Sequence, residues 1–112
     1  MYPSGRWDGF WEQPGFGRQS MTAFSLRFEG GSIDGEGRDI VGPFVFHGHC
    51  DATNGRVQLV KQYLGRHRVQ YHGEPDGEGC IFGTWTIDGA NKGPFLMRPI
   101  RAAAEREWDE SI

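Results

Sequence analysis

The sequence lacks the marks of membrane-spanning, nucleic-acid-binding and motif-bearing catalytic proteins. No stretch of its 112 residues approaches the ~20 apolar residues of a spanning helix, so no membrane partner is expected. Met1-Tyr2-Pro3-Ser4-Gly5-Arg6-Trp7 contains no apolar run of the signal-peptide kind, and the expected setting is cytoplasmic. A long block of single-sign charge is also missing: 12 Lys and Arg against 15 Asp and Glu leave a net charge of -3. The clearest basic cluster, Arg66, His67 and Arg68 with nearby Lys61, reads as a solvated turn. A nucleic-acid footprint needs a wider basic face, so no nucleic-acid partner is expected.

Cysteine is scarce. Cys50 and Cys80 are the only two, they form no CxxC pair, and they fit reduced, structural thiols, with a single disulfide left open. The chain has no G-x-S-x-G elbow, no HExxH and no phosphate loop; Gly35-Glu36-Gly37 reads as a turn. Asp34, Glu36, Asp39, Asp76 and Glu78 cluster near turns, where solvated charge is the expectation. His47-Gly48-His49 puts two imidazoles on one strand face, but alternation turns that face outward. No catalytic residue, metal or cofactor is assigned.

Glycine and aromatic residues are what the chain has in quantity: 18 Gly, 4 Trp, 8 Phe and 3 Tyr. The glycines show no collagen period and are read as turn markers, in seven breaks: 13–18, 29–31, 37–42, 51–56, 64–67, 74–79 and 88–93. Asn54-Gly55, Asp76-Gly77 and Asp88-Gly89 carry the positive-φ chemistry of tight hairpins. Seven turns imply eight short strands, over about 6–12, 21–28, 32–36, 44–50, 57–63, 68–73, 80–87 and 95–98. No segment between them has a helical period long enough for a parallel crossover, so consecutive strands pair as a meander.

Alternation collects Trp7, Trp11, Phe24, Leu26, Phe28, Ile33, Phe44, Phe46, Val57, Leu59, Tyr63, Val69, Tyr71, Ile81, Trp85, Ile87, Phe95 and Met97 on one face. The expectation is one all-β domain over residues 1–112, an eight-stranded antiparallel up-and-down barrel with strands over about 6–98. Residues 99–112 form a short helix or frayed tail. Closure removes exposed strand edges, although alternation alone leaves an open sheet or a sandwich open.

Gly5-Arg6-Trp7 on the first strand and Gly83-Thr84-Trp85 near the end resemble the Gly-x-Trp strand signatures of the calycins. The short eight-strand meander over about residues 5–99 is similar to the avidin and streptavidin branch. That resemblance implies a barrel mouth with Trp walls, for which Trp11 and Trp85 stand, and oligomers formed through the outer faces. In avidin-like proteins polar side chains of the first strands and the following loop hold biotin; here Asp8-Gly9-Phe10 follows and departs from the family's ureido-binding set.

Lys61 is the oddest residue. It shares the inward face with Val57, Leu59 and Tyr63, where an ammonium needs a partner or water. Two roles are open to it: snorkelling at the rim, or anchoring a ligand beside Tyr63 and Tyr71. The expected function is a non-enzymatic module binding a small apolar ligand with Trp11, Lys61, Tyr63, Tyr71 and Trp85. A small barrel enzyme with a mouth pocket around Lys61, or a purely structural homo-oligomer, are the alternatives. Phe10, Val45, Val60, Phe82 and Leu96 fall on the outward face, and a homodimer or tetramer is expected from them.

Overall fold

Short runs of alternating apolar residues punctuated by glycine turns have few ways to bury one face, and here the sheet closes on itself. The structure is a computed structural model and describes residues 2–100. Its strands are β1 (Gly5–Gln13), β2 (Gly17–Glu29), β3 (Ser32–Arg38), β4 (Pro43–Cys50), β5 (Val57–Tyr63), β6 (Arg68–Pro75), β7 (Ile81–Ile87) and β8 (Asn91–Pro99). Each pairs antiparallel with the next, and β1 meets β8 from Trp7↔Pro99 to Trp11↔Phe95. The all-β, eight-stranded meander barrel read from the sequence is the architecture observed, and it is compatible with a calycin-like barrel. The helix or tail anticipated after Pro99 concerns residues 101–112, outside the described residues.

Several strands run further than the turn signals suggested. β2 starts at Gly17 and not near Met21, β3 continues to Arg38, and β8 starts at Asn91. The reason is that not all glycines are turn residues. Gly9, Gly35, Gly37, Gly48, Gly73, Gly83 and Gly93 lie within strands, where an added Cβ would overlap backbone or core atoms. Across the ladders Gly35, Gly37, Gly83 and Gly93 stand opposite Phe46, Phe44, Phe95 and Trp85. At Gly37 and Gly93 the added atom would meet the facing ring itself, Phe44 or Trp85, so there a large ring lies against bare backbone on its neighbour, which helps a narrow barrel hold many aromatics.

Among the described residues the strand register is broken once. On β1 and β2, Trp7 pairs with Phe24 while Gly9 pairs with Met21, so three steps on β2 match two on β1. This bulge turns both Met21 and Phe24 inward, each with no exposure. The middle of the barrel is filled by rings in edge contact: Phe44 with Phe46 at 5.1 Å, Phe46 with Tyr71 at 5.6 Å, and Tyr71 with Phe95 at 4.7 Å between centroids. One end is sealed by Tyr2, whose hydroxyl donates to the Gly55 carbonyl at 2.6 Å and whose ring packs on Trp7 and Phe28.

The strand glycines make a direct prediction. A Cβ at Gly83 would overlap the His72 carbonyl oxygen on β6, backbone that cannot rotate away. Gly83→Ala is expected to destabilise the fold by about 1–3 kcal/mol, as overpacking does. Thermal or denaturant unfolding measures this, and an unchanged midpoint would contradict the close approach.

Candidate functional site

The hairpins β1–β2, β3–β4, β5–β6 and β7–β8 all turn at the end of the barrel opposite Tyr2. There a cavity of about 270 Å³ is lined by Trp11, Gln13, Val41, Tyr63, His67, Val69, Tyr71, Trp85 and Ile87. All four hairpins contribute to its rim or wall. Four of the residues singled out in the sequence, Trp11, Tyr63, Tyr71 and Trp85, therefore share one wall. The fifth, Lys61, does not line the cavity but lies behind it.

Lys61 has no exposure, so the rim snorkel is not what its side chain does. Its Nζ forms an ion pair with Asp39 Oδ2 at 2.5 Å, and neither side chain is exposed. The Tyr71 hydroxyl lies 3.2 Å and Met21 Sδ 3.3 Å from the same nitrogen. Rings of Phe44, Tyr63, Tyr71 and Trp11 surround it at 4.4, 4.7, 5.5 and 5.6 Å to their centroids, so the ammonium sits in an aromatic cage of its own protein.

Asp39 is the residue that sequence reasoning missed. Grouped with acidic turn residues, it was expected to be solvated; in fact its carboxylate is the acceptor around which the wall is built. The β3–β4 turn fixes it: Asp39 and Gly42 exchange backbone hydrogen bonds at 3.1 Å, and the Val41 N–H donates to Oδ1 at 3.0 Å. This Asx turn leaves Oδ2 facing the barrel, where it accepts from Lys61, from the Tyr63 hydroxyl at 2.7 Å and from Trp11 Nε1 at 3.1 Å. Trp85 is held separately. Its Nε1 donates to the Glu12 carbonyl at 2.9 Å, and its ring lies edge-on to Trp11 at 6.0 Å, over the bare backbone of Gly93. No buried side-chain nitrogen or oxygen among the described residues lacks a partner.

Charge follows this geometry. Burial by itself would raise the Asp39 carboxyl, but the Lys61 charge and hydrogen bond, with those of Tyr63 and Val41, hold it below its ordinary 3.8. Burial pulls Lys61 down from 10.5 to about 8, against the restoring effect of Asp39. The phenols go the other way: burial raises Tyr63, reinforced by its bond to the Asp39 carboxylate, and burial raises Tyr71 well above 10. At neutral pH the wall is thus a set of neutral phenols around one ion pair.

Other candidates stay apart from this site. His47, His49 and His72 are exposed on the outer wall, and no group of three His, Cys, Asp or Glu able to hold a metal occurs among the described residues. Cys50 and Cys80 are free, half-buried thiols whose pKa burial raises, unlike activated nucleophiles.

Breaking a buried pair strands a charge, whereas removing both members need not. Lys61→Met is therefore expected to cost about 3–5 kcal/mol, and Lys61→Met with Asp39→Asn much less, since the asparagine oxygen still accepts from Tyr63 and Trp11. Denaturant unfolding of the single and double variants checks the coupling; additive losses would contradict it.

The chain has 3 tyrosines, and all are buried, Tyr2 being pushed up to about 12 chiefly by burial. A phenol whose folded pKa lies above its unfolded 10.0 contributes stability that is present below pH 10 and lost as pH climbs past it. Lys61, depressed to about 8, has the opposite sign and favours the fold as pH rises from 8 to 10.5, but one ammonium is outnumbered by three phenols. Tyrosinate absorbance is expected to rise above pH 10 in one cooperative step, together with loss of near-ultraviolet circular dichroism. A separate step at pH 10 in the folded protein would contradict this burial.

Comparison with protein-family models, curated proteins and solved structures finds no match for the chain.

Proposed function

We propose that the protein is a non-enzymatic binding module that takes one small, largely apolar molecule at the barrel mouth, against Trp11, Tyr63, Tyr71 and Trp85. The observation that carries this reading is the cavity itself, together with the state of its walls. Trp11, Tyr63 and Trp85 already donate their N–H or O–H groups to Asp39 or to the Glu12 carbonyl. What they offer a guest is ring surface, so an apolar or aromatic body fits, with Gln13 and His67 supplying polar atoms at the rim. At about 270 Å³ the space falls just under the ~300–1,000 Å³ of drug-sized sites, which favours a compact ligand. An avidin-like mode agrees with the paired Trp11 and Trp85 walls. Lys61 then acts as a positioning residue, since it orients the walls through Asp39.

An enzyme working through Lys61 has less behind it. The ammonium has no exposure and is committed to Asp39, and the raised phenols of Tyr63 and Tyr71 are poor bases at neutral pH. Self-association has one specific observation in its favour: Phe10, Leu96 and Phe82 are cross-strand neighbours on the outward face of β1, β8 and β7, with Phe82 44% exposed.

Native mass spectrometry of protein purified from its source tests both ideas. The expected spectrum is a dimer or tetramer carrying one small organic molecule per chain, released on unfolding. Trp85→Ala is expected to weaken retention of that molecule at least about tenfold, ~1.4 kcal/mol. A bare chain mass that acquires no adduct from a panel of small aromatic compounds would sink the binding reading, and a monomer the association.

A further inference from the structure

The cavity mouth carries a second pattern, independent of what the cavity holds. Of the large apolar residues most exposed to water, Phe16 at 73%, Ile40 at 77% and Leu64 at 55% sit on three different hairpin turns, β1–β2, β3–β4 and β5–β6. All three turns are at the mouth end. The same turns and strand ends bring Arg38, Arg66, Arg68 and Lys92, all exposed and in no ion pair among the described residues. Against them stand Asp88, Glu36 beside Arg38, and Glu12, which is bound to Arg18 at 3.0 Å, while Asp39 is buried against Lys61. The sealed end is the reverse: Glu29, Asp51, Glu74, Asp76 and Glu78 outnumber Arg6, Arg56 and Arg98, and Arg56 and Arg98 are themselves paired with Glu74 and Asp8. Among the described residues the barrel thus has a basic, apolar-tipped end and an acidic end.

We propose that the mouth end docks on an anionic lipid surface, with Phe16, Ile40 and Leu64 entering the headgroup–acyl boundary and Arg38, Arg66, Arg68 and Lys92 meeting the headgroup charge. Separated apolar tips ringed by basic residues suit a fluid interface, which closes around each tip. A folded protein partner would need a matching socket for each. A second copy is the weaker fit, because basic mouth on acidic base is a head-to-tail contact, which gives rings or open filaments and not the common two-fold dimer. The charge asymmetry also orients the molecule, turning the mouth toward a negative surface and the sealed end away.

Sedimentation with vesicles tests this. The protein is expected to bind vesicles of phosphatidylcholine with phosphatidylserine, to release as salt is raised, and to leave phosphatidylcholine vesicles unbound. The variant Phe16→Ser, Ile40→Ser, Leu64→Ser changes only exposed residues, so its circular dichroism should match the parent while vesicle binding falls at least about tenfold. Arg66→Ala and Arg68→Ala should each weaken binding about fivefold. Failure to bind the mixed vesicles, equal binding to both kinds, or full binding by the triple serine variant overturns the proposal. So does a result in which that variant alters only the sedimentation coefficient of the free protein, which makes the rim a contact between copies.

Discussion

One carboxylate oxygen organises the open half of the barrel. Asp39 Oδ2 accepts from β1 through Trp11 and from β5 through both Lys61 and Tyr63, while Oδ1 is fastened to its own turn by the Val41 N–H. Through Lys61 the same centre reaches Met21 on β2 and Tyr71 on β6. A buried ion pair adds little net stability compared with well-packed apolar residues, but this one ties its hydrogen-bonded neighbours to one acceptor. What this fixes is the orientation of two cavity walls. The indole of Trp11 and the phenol of Tyr63 each have their polar atom drawn toward Asp39, which leaves ring surface to the cavity. Without that acceptor the same side chains would aim their donors at whatever lay above them.

The two ends of the barrel differ because the filling stops short of the mouth. The Tyr2, Trp7 and Phe28 rings fill the sealed end, buried aliphatic side chains such as Leu26, Ile33 and Ile81 and a second ring cluster of Phe24, Phe44, Phe46 and Tyr71 fill the interior, and the ion pair lies toward the mouth. Above it the walls are Trp11 and Trp85, edge-on to one another, and no inward residue spans the remaining width. The cavity is thus bounded by Trp11, Tyr63 and Tyr71, which hydrogen-bond to the Asp39 and Lys61 pair lying behind them.

Fold and site were legible in the sequence to different depths. Strand alternation identified eight strands, the inward faces and the inward Lys61, because burial of one face is a local, period-two signal. It failed at Met21, where the bulge opposite Gly9 shifts the period, and at Gly37 and Gly93, where glycines that look like turn residues make room for Phe44 and Trp85. Asp39 was missed for a different reason. Its turn chemistry is ordinary, and only the pairing of β3 with β4 and of β4 with β5 brings it over Lys61. A signal did exist: an inward lysine needs a counter-charge, and in a meander the turn leading into the neighbouring strand is where to seek one. The cavity depends on side-chain packing in three dimensions, which period and turn signals do not describe.

The facing of rings against glycines has a consequence for how such a barrel can change. Because Phe44 lies over Gly37 and Trp85 over Gly93, each of these rings and its glycine share one allotment of interior space. Neither member can drift alone: a side chain gained on one strand has to be matched by one lost across the ladder. Phe44 and Gly37 belong to the filled core, but in the other couple Trp85 lines the cavity. Exchange at that couple is therefore the route by which the open space could be reshaped while the rest of the barrel keeps its dimensions.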